Sequence, residues 1–299
     1  MSRPRPRPRS RTAGAALVGL AALSLAAASR PPRAGTAPTT VRRYGGSAAV
    51  GQGRARAYVL TDRRTGAPTE IGVALDERAL AGLPTTGAGH HGQSGHVHQW
   101  ILPLPAGQAA PFQFVELNWN PTGHEPDGVY AGVPHFDFHF YTVSRAARDS
   151  IVPANPRYAE LANALPDSDY VPAFNAQLGP PGSTPADVVV PKMGVHWVDV
   201  RSPELQRLLG RPEAYRPFTT TFIHGTWNGR VHFWEPMITR AHLLAKQTAT
   251  DPAVRDEVVA LPLPRKYQAP GHYPTAYRIT WDARAREYRV ALTRLAWRD

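Results

Sequence analysis

The chain has 299 residues, 42% of them hydrophobic, which is enough for one large domain or two small ones with a sizeable buried core. It contains no cysteine, which excludes disulfide bonds, thiolate catalysis and cysteine-based zinc sites, so any bound metal has to be held by histidine, aspartate and glutamate. The formal net charge is +11, but nine arginines fall before residue 44 with no acid to balance them; subtracting these nine leaves +2, and the remainder shows no dense basic patch for nucleic acid.

The N-terminal leader has the three parts of a secretory signal peptide. Residues 1–12 contain five arginines and no acid, residues 13–25 are apolar, and residues 26–28 are alanines that suit cleavage. A transmembrane anchor is the alternative, but the apolar run is shorter than the roughly 20 residues that a span requires. We predict a signal peptide over residues 1–28, a secreted or periplasmic location, and no stable membrane span after cleavage.

The remaining chain is predicted to begin with a linker and to continue as one domain. Residues 29–56 are rich in Pro, Gly, Ala and Arg, a composition typical of a disordered tether. Residues 57–299 are predicted to form a single β-rich domain. Its first element is a hairpin over 57–75, and a glycine-rich loop follows over 84–99.

Further elements alternate along the domain. Runs of β-branched and aromatic residues bounded by Pro and Gly predict strands over 111–120, 129–143, 188–200, 218–227 and 229–237, with a tight turn at Asn228-Gly229 between the last two. Helical spacing predicts helices over 155–166, over 202–210 and within 238–260, and a second hairpin follows over 277–292. This order indicates an α+β, mainly β fold: an antiparallel sheet closed or nearly closed into a barrel, with a few inserted helices.

The segment PHFDFHFY carries the clearest chemical pattern. Successive side chains of a strand point to opposite faces, so three phenylalanines share one face, while His135, Asp137, His139 and Tyr141 share the other. A wet strand surface is the simple explanation of such alternation. Two histidines flanking an aspartate instead favour a pocket in which polar groups converge.

Geometry limits what this strand can bind alone. His135 and His139 lie roughly 13 Å apart at a rise of about 3.4 Å per residue, so both reach one ion only if the strand bends. Ligands from other segments are needed, and the candidates are His196 and Glu235 on predicted strands and His124 and Glu125 in a turn just before the motif. We predict a metal site drawn from His135, His139, His196, Glu235, His124 and Glu125, with Asp137 and Glu235 as the anionic ligand or catalytic base.

Each candidate also has a structural interpretation. His196 would equally suit a hydrogen-bonded core histidine, Glu235 an acid at a helix N-terminus, and His124 with Glu125 a turn. The second histidine cluster lies in the glycine-rich loop and comprises His90, His91, His96 and His98. Because preorganised sites are usually built on rigid elements, we interpret that loop as a solvent loop.

The order of the motifs resembles a known family. The segments LNWNPTGHEP, GVYAGVPHFDFHFYTV, MGVHWVDV, SPEL and FWEPMIT are similar to an uncharacterised family of exported bacterial proteins with a Thermus representative under extracytoplasmic sigma-factor control. The resemblance spans roughly residues 58–244 and is most specific at PHFDFHFY. It implies an exported, β-rich fold without an accepted reaction, and a family pattern that includes His124, Glu125, His135, Asp137, His139, His196 and Glu235.

Two functions follow as alternatives. Imidazole and carboxylate ligands without sulfur suit a divalent metal, with zinc preferred over iron, manganese and copper, and such a site supports metal-dependent hydrolysis of a small substrate. The alternative is a non-catalytic envelope protein that binds a small-molecule ligand or assembles into a homo-oligomer, with the histidines as a hydrogen-bonded polar cluster. The sequence leaves open whether the protein is an enzyme.

Overall fold

The computed structural model describes residues 39–87, 98–107 and 109–299. The predicted signal peptide, the first part of the predicted linker, and His90, His91 and His96 of the glycine-rich loop lie outside these ranges. Within them, no helix combines the length and the apolar composition that crossing a bilayer demands.

Strands dominate the described ranges. In chain order they are β1 (Thr40–Val50), β2 (Gly53–Asp62), β3 (Pro68–Asp76), β4 (His98–Pro103), β5 (Phe114–Asn120), β6 (His135–Tyr141), β7 (Asn175–Ala176), β8 (Val189–Val190), β9 (Gly194–Asp199), β10 (Thr220–Trp227), β11 (Arg230–Thr239), β12 (Asp256–Ala260), β13 (Gly271–Tyr273), β14 (Ala276–Asp282), β15 (Glu287–Thr293) and β16 (Ala296–Arg298).

The helices of the described ranges are short. They are α1 (Arg145–Asp149), α2 (Tyr158–Asn163), α3 (Arg240–Thr248) and α4 (Pro252–Arg255). The predicted helix at 155–166 shrinks to α2 between two prolines, and 202–210 contains only a 3₁₀ turn at Pro203–Leu205. The stretch 238–260 holds α3 and α4 but ends in β12, because side chains of alternating exposure there pair with β14.

Two antiparallel sheets contain most of the strands. One has the order β1-β2-β3-β15-β14-β12, and the other follows β4-β5-β6-β11-β10-β9-β7, with β8 paired to β9; β13 pairs with β16. Both large sheets are open, so the predicted barrel is wrong for the described residues. Polar-apolar alternation predicts two-faced strands, but closure depends on strand number and stagger, which alternation does not encode.

The phenylalanines of β6 lie in the core shared by the two large sheets. Phe136, Phe138 and Phe140 are fully buried and belong to one cluster with side chains of the six-stranded sheet such as Val73 and Val290. Burying a side chain of this size stabilises the fold by about 1.5–3 kcal/mol. The apolar face of β6 is therefore fixed inward, which directs its polar residues to the other side of the sheet.

The start of the domain differs from the sequence prediction. Residues from Thr40 onward, assigned to a disordered linker, form β1 and the beginning of β2. Their low apolar content is compatible with a strand because β1 is an edge strand whose side chains pair with charged neighbours. Tyr44 donates a hydrogen bond of 3.2 Å to Glu287, and the guanidinium of Arg56 lies 3.6 Å from the centre of the Tyr44 ring.

The opposite face of the eight-stranded sheet is covered by connecting segments. A second buried cluster joins Phe233 and Met237 of β11 to Tyr130, Met193 and Phe218, all three of which lie between strands. The polar face of β6 is thus enclosed between its own sheet and these connections, and this enclosure positions the candidate site.

Candidate metal centres

Polar side chains of β5 and β6 meet on the covered face of the eight-stranded sheet. The register pairs are Glu116 with His139, Asn118 with Asp137, and Asn120 with His135. None of these six residues is more than 1% exposed. The interpretation of the β6 motif as a wet strand surface is therefore wrong, because the covering segments remove this face from water.

The first triad consists of His124, His135 and Asp137. His135 Nε2 lies 3.3 Å from Asp137 Oδ1, and His124 Nε2 lies 3.6 Å from Asp137 Oδ2. The two imidazole rings are 4.6 Å apart between centroids. One ligand atom from each residue lies within 4.8 Å of the others, which is the spacing of groups that can share one metal ion.

Backbone carbonyls set the tautomer of both histidines in the first triad. His124 Nδ1 donates to Glu125 O at 2.7 Å, and His135 Nδ1 donates to Val133 O at 2.6 Å. A carbonyl oxygen only accepts, so each Nδ1 carries a hydrogen, and Nε2 is the ring nitrogen that each histidine turns toward Asp137. A metal-binding histidine is held in the same way, by a hydrogen bond from its other ring nitrogen.

The second triad consists of His139, His196 and Glu235. Glu235 Oε1 lies 3.2 Å from His139 Nε2, and Glu235 Oε2 lies 3.8 Å from His196 Nε2. The three ligand atoms again fall within 4.8 Å of one another. The side chain of His196 is 17% exposed, whereas those of His139 and Glu235 are buried, so this triad reaches the protein surface at His196.

A glycine in β10 makes room for the packing of the second triad. Gly225 is the register partner of both Phe233 and His196, and a side chain at Gly225 would collide with the Phe233 ring. That ring lies 4.9 Å from the His139 ring and 5.2 Å from the His196 ring, between centroids. Phe233 therefore holds both imidazoles of the triad by contact, and Gly225 permits its position.

The two triads are electrostatically connected. Asp137 and His139 are two residues apart on the same face of β6, so the triads are neighbours. Burial raises the pKa of Glu235 well above its usual value, and the negative charges of Asp137 and Glu116 raise it further. Buried acids in this proximity are costly to ionise, and a bound cation would remove that cost.

Glu116 differs from the other two acids because it has its own cation. Arg148 of α1 donates from Nη2 to Glu116 Oε2 and to Gln99 Oε1, the latter at 3.1 Å, and Arg148 is itself buried. Asn118 Nδ2 donates to Glu116 Oε1 at 3.1 Å. Burial raises the pKa of the Glu116 carboxyl, and the charges of Arg148 and Lys192 oppose that rise.

The structure divides the residues predicted for the metal site between two places. His135 joins His124 and Asp137, and His139 joins His196 and Glu235, so the two histidines of the motif serve different triads. Glu235 lies within β11 and Thr239 caps α3, so Glu235 is not a helix N-terminal acid.

Glu125, a predicted ligand, and His98, a residue of the predicted solvent loop, both lie outside the triads. The side chain of Glu125 is exposed and belongs to neither triad, although its carbonyl oxygen holds His124. His98 begins the edge strand β4, where its ring hydrogen-bonds to Thr86 O at 2.8 Å.

Sequence reasoning missed the residues that support the triads. Asn120 donates from Nδ2 to Asp137 Oδ2 at 2.7 Å, and Glu116, the register partner of His139, pairs with Arg148. Glu116, Asn118 and Asn120 alternate with apolar residues in β5 as the polar residues of β6 do, and this period of two was the available signal.

Part of the chain matches the model of a known protein family. Residues 64–119 match the model of the TTHB210-like family, described as "Hypothetical protein TTHB210". The match supports similarity to an uncharacterised family, and export and sigma-factor control stay predictions. It includes Glu116 and Asn118 but ends before His124 and the β6 motif. Neither a search of curated proteins nor a search of solved structures gives a match.

Proposed function

We propose that this protein binds divalent transition-metal ions at the first and second triads. The single observation that carries the proposal is the first triad, where two histidines direct Nε2 at one buried carboxylate while backbone carbonyls hold both Nδ1 hydrogens. Both Nε2 atoms and the carboxylate oxygens of Asp137 are atoms that coordinate a cation, and Asp137 supplies negative charge to balance it.

Zinc is the metal that this ligand chemistry favours. Two imidazoles and one carboxylate form a common zinc ligand set, and the same set accepts iron, manganese or copper. Three protein ligands leave one position open for a small molecule, and a metal ion in such a site lowers the pKa of water toward neutrality. The first triad is buried, which suits a structural ion, whereas the side chain of His196 in the second triad is 17% exposed.

We place hydrolysis or related chemistry on a small substrate at the second triad. Glu235 is the acid there, and with Oε1 3.2 Å from His139 Nε2 it is placed to serve as the anionic ligand. Asp137 belongs to the first triad, so its role in this proposal is that of an anionic ligand. Phe233 holds the imidazoles of His139 and His196 in position.

Metal analysis of the full-length purified protein tests the proposal. After exposure to zinc and dialysis, we expect about two zinc ions per chain, about one in His135→Ala and in His139→Ala, and none in the double variant. His272→Ala, a change on β13 away from both triads, is the matched control and should retain two ions. Equal metal content in the wild-type protein and the double variant would remove the proposal.

Thermal unfolding separates metal binding from the alternative of a hydrogen-bonded polar cluster. An ion that binds only the folded state stabilises it by about 2.7 kcal/mol when the free metal is at 100 times its Kd. We therefore expect EDTA to lower the Tm of the zinc-loaded wild-type protein. An unchanged Tm would favour the non-catalytic envelope protein, a ligand-binding protein or homo-oligomer that needs no metal.

We also propose that the protein acts outside the cytoplasm. The composition of residues 1–28 supports export. Fractionation of cells that express the full chain should recover a shortened protein outside the cytoplasm, whereas a chain that lacks residues 1–28 should stay inside. Full-length protein that remains in the cytoplasm would contradict this prediction.

A further inference from the structure

Two acids flank His139 of the second triad, one on each side of β6. Glu116 is its register partner on β5, and Glu235 of β11 places Oε1 3.2 Å from His139 Nε2. A metal ion at this triad would therefore meet Glu235 directly. Glu116 pairs with Arg148 instead.

The charge of Glu116 is already balanced. Arg148 donates to its carboxylate from a buried position, and the charge of Lys192 also acts on Glu116. Glu235 is consequently the one acid of the second triad that can offset the charge of an ion there, and Asp137 has the same role in the first triad. Two divalent ions bring four positive charges against two negative ones.

A further buried acid does not remove this imbalance. The charge of Glu204 raises the pKa of the buried Tyr130, as the charges of Glu235 and Asp137 also do. Glu204 therefore lies near this face of the sheet. Burial raises the pKa of Glu204, which favours its neutral form. Even if Glu204 is counted as ionised, the sum over the two ions and these three acids stays positive. Uncompensated charge in a buried site is strongly unfavourable.

We propose that the second triad takes a small dianionic oxyanion, of which inorganic phosphate is the simplest example, at the protein surface formed by His196 and Lys192. The inference rests on the proposed function, because the anion is required only when both ions are present. It gives that function a substrate class: small molecules with a doubly charged oxyanion group.

The backbone at Lys192 supports this position. Lys192 N donates to Ile151 O at 2.6 Å, and the Tyr141 hydroxyl donates to Lys192 O at 3.2 Å, so the peptide groups on both sides of the residue are fixed. Lys192 adopts a φ of 67°, which a non-glycine residue seldom does. Lys192 and His196 are both partly exposed, in a segment whose other residues between them are buried. A cation and a metal-ligating imidazole thus come to the surface within five residues.

Cobalt spectroscopy on the full-length protein tests the inference. The protein is loaded with two equivalents of Co²⁺ and titrated with inorganic phosphate at pH 8 and constant ionic strength, and the visible absorption of Co²⁺ is followed. We expect a saturable spectral change and at least tenfold weaker binding of acetate, which carries one charge. Chloride at the same ionic strength should leave the spectrum unchanged.

Two lysine variants complete the test. Lys192→Ala should still bind two Co²⁺ ions, but it should bind phosphate at least tenfold more weakly than the wild-type protein does. Lys266→Ala removes an exposed lysine that pairs with Asp169, and it should behave as the wild-type protein does. Three results would overturn the inference: unaltered phosphate binding in Lys192→Ala, equal binding of acetate and phosphate, or no spectral change. If the protein still binds two Co²⁺ ions in that case, the proposed function is upheld. Failure to bind Co²⁺ would contradict both the inference and the proposed function.

Discussion

Asn120 of β5 donates a hydrogen bond of 2.7 Å to Oδ2 of Asp137, and both side chains are buried. The bond fixes the plane of the carboxylate, so Oδ1 lies toward His135 and Oδ2 toward His124. If the carboxylate could rotate, each oxygen would no longer face one particular histidine. Asn120 therefore orients the anionic ligand of the first triad without being a ligand itself.

Replacing Asn120 by alanine should weaken metal binding at the first triad by about 10–100-fold, the usual effect of losing a group that orients a ligand. Calorimetric titration of zinc should show one weakened and one unchanged site. Asn118→Ala is the matched control, because Asn118 lies on the same face of β5 but donates to Glu116. An equal loss in both variants would indicate a general disturbance of the sheet instead.

The faces of β6 and the β10–β11 hairpin could be read from local sequence. Alternation placed the phenylalanines in the core, and Asn228-Gly229 predicted the turn, where φ is 50° and 69°, as the favoured two-residue turn requires. The register was not predictable from the turn alone. An irregularity between Gly225 and Thr226 pairs His224 with Trp234, whereas the turn without it would pair His224 with Phe233.

The division of the ligands into two triads depends on contacts between distant segments. The sequence offered His135 and His139 as neighbours, but strand geometry separates them. Their partners come from a turn before β6 and from strands β9 and β11. Which partner meets which histidine is decided by strand order and by the covering segments, neither of which leaves a local pattern. For the same reason, the sequence does not show whether the sheets close into a barrel or stay open.

Replacing Gly225 by alanine should disturb the second triad and leave the first intact. The added methyl group collides with the Phe233 ring in a packed interior, which costs roughly 1–3 kcal/mol of the free energy of unfolding. Urea unfolding should show this loss, and zinc titration should show weaker binding at one site. Arg230→Ala, an exposed change in the same hairpin, should alter the free energy of unfolding by less than about 0.5 kcal/mol.

Replacing Arg148 by methionine should destabilise the protein more than replacing both partners of its ion pair. The single change leaves the Glu116 carboxylate buried without its cation, which costs about 3–5 kcal/mol. The double variant Arg148→Met/Glu116→Gln removes the charge that is left behind and should recover part of that loss. Urea unfolding of the wild-type protein, both single variants and the double variant measures the coupling. Additive effects would mean that the pair does not interact energetically.

Acid should destabilise the metal-free protein through two buried histidines. Burial lowers the pKa of His224 to about 3 and that of His232 to about 4, from an ordinary value of 6.5. Below pH 6.5 the unfolded chain therefore binds protons at these positions, whereas the folded chain does not. The contribution of the two histidines to stability is fully present above pH 6.5 and is lost as the pH falls toward their folded-state pKa values. Each histidine contributes a slope of up to about 1.4 kcal/mol per pH unit.

His224→Phe isolates one of these contributions. The His224 ring packs 4.6 Å from Trp234 and 5.2 Å from Phe222, so a phenylalanine suits the site apart from the lost contact to Asn175. Urea unfolding in EDTA at several pH values between 7 and 4.5 should show that the variant loses less stability on acidification than the wild-type protein does. This holds whether its stability at pH 7 is higher or lower. The slope is the diagnostic quantity, because packing and the lost hydrogen bond shift stability equally at every pH. An identical slope in both proteins would mean that His224 is not the buried neutral group that its surroundings require.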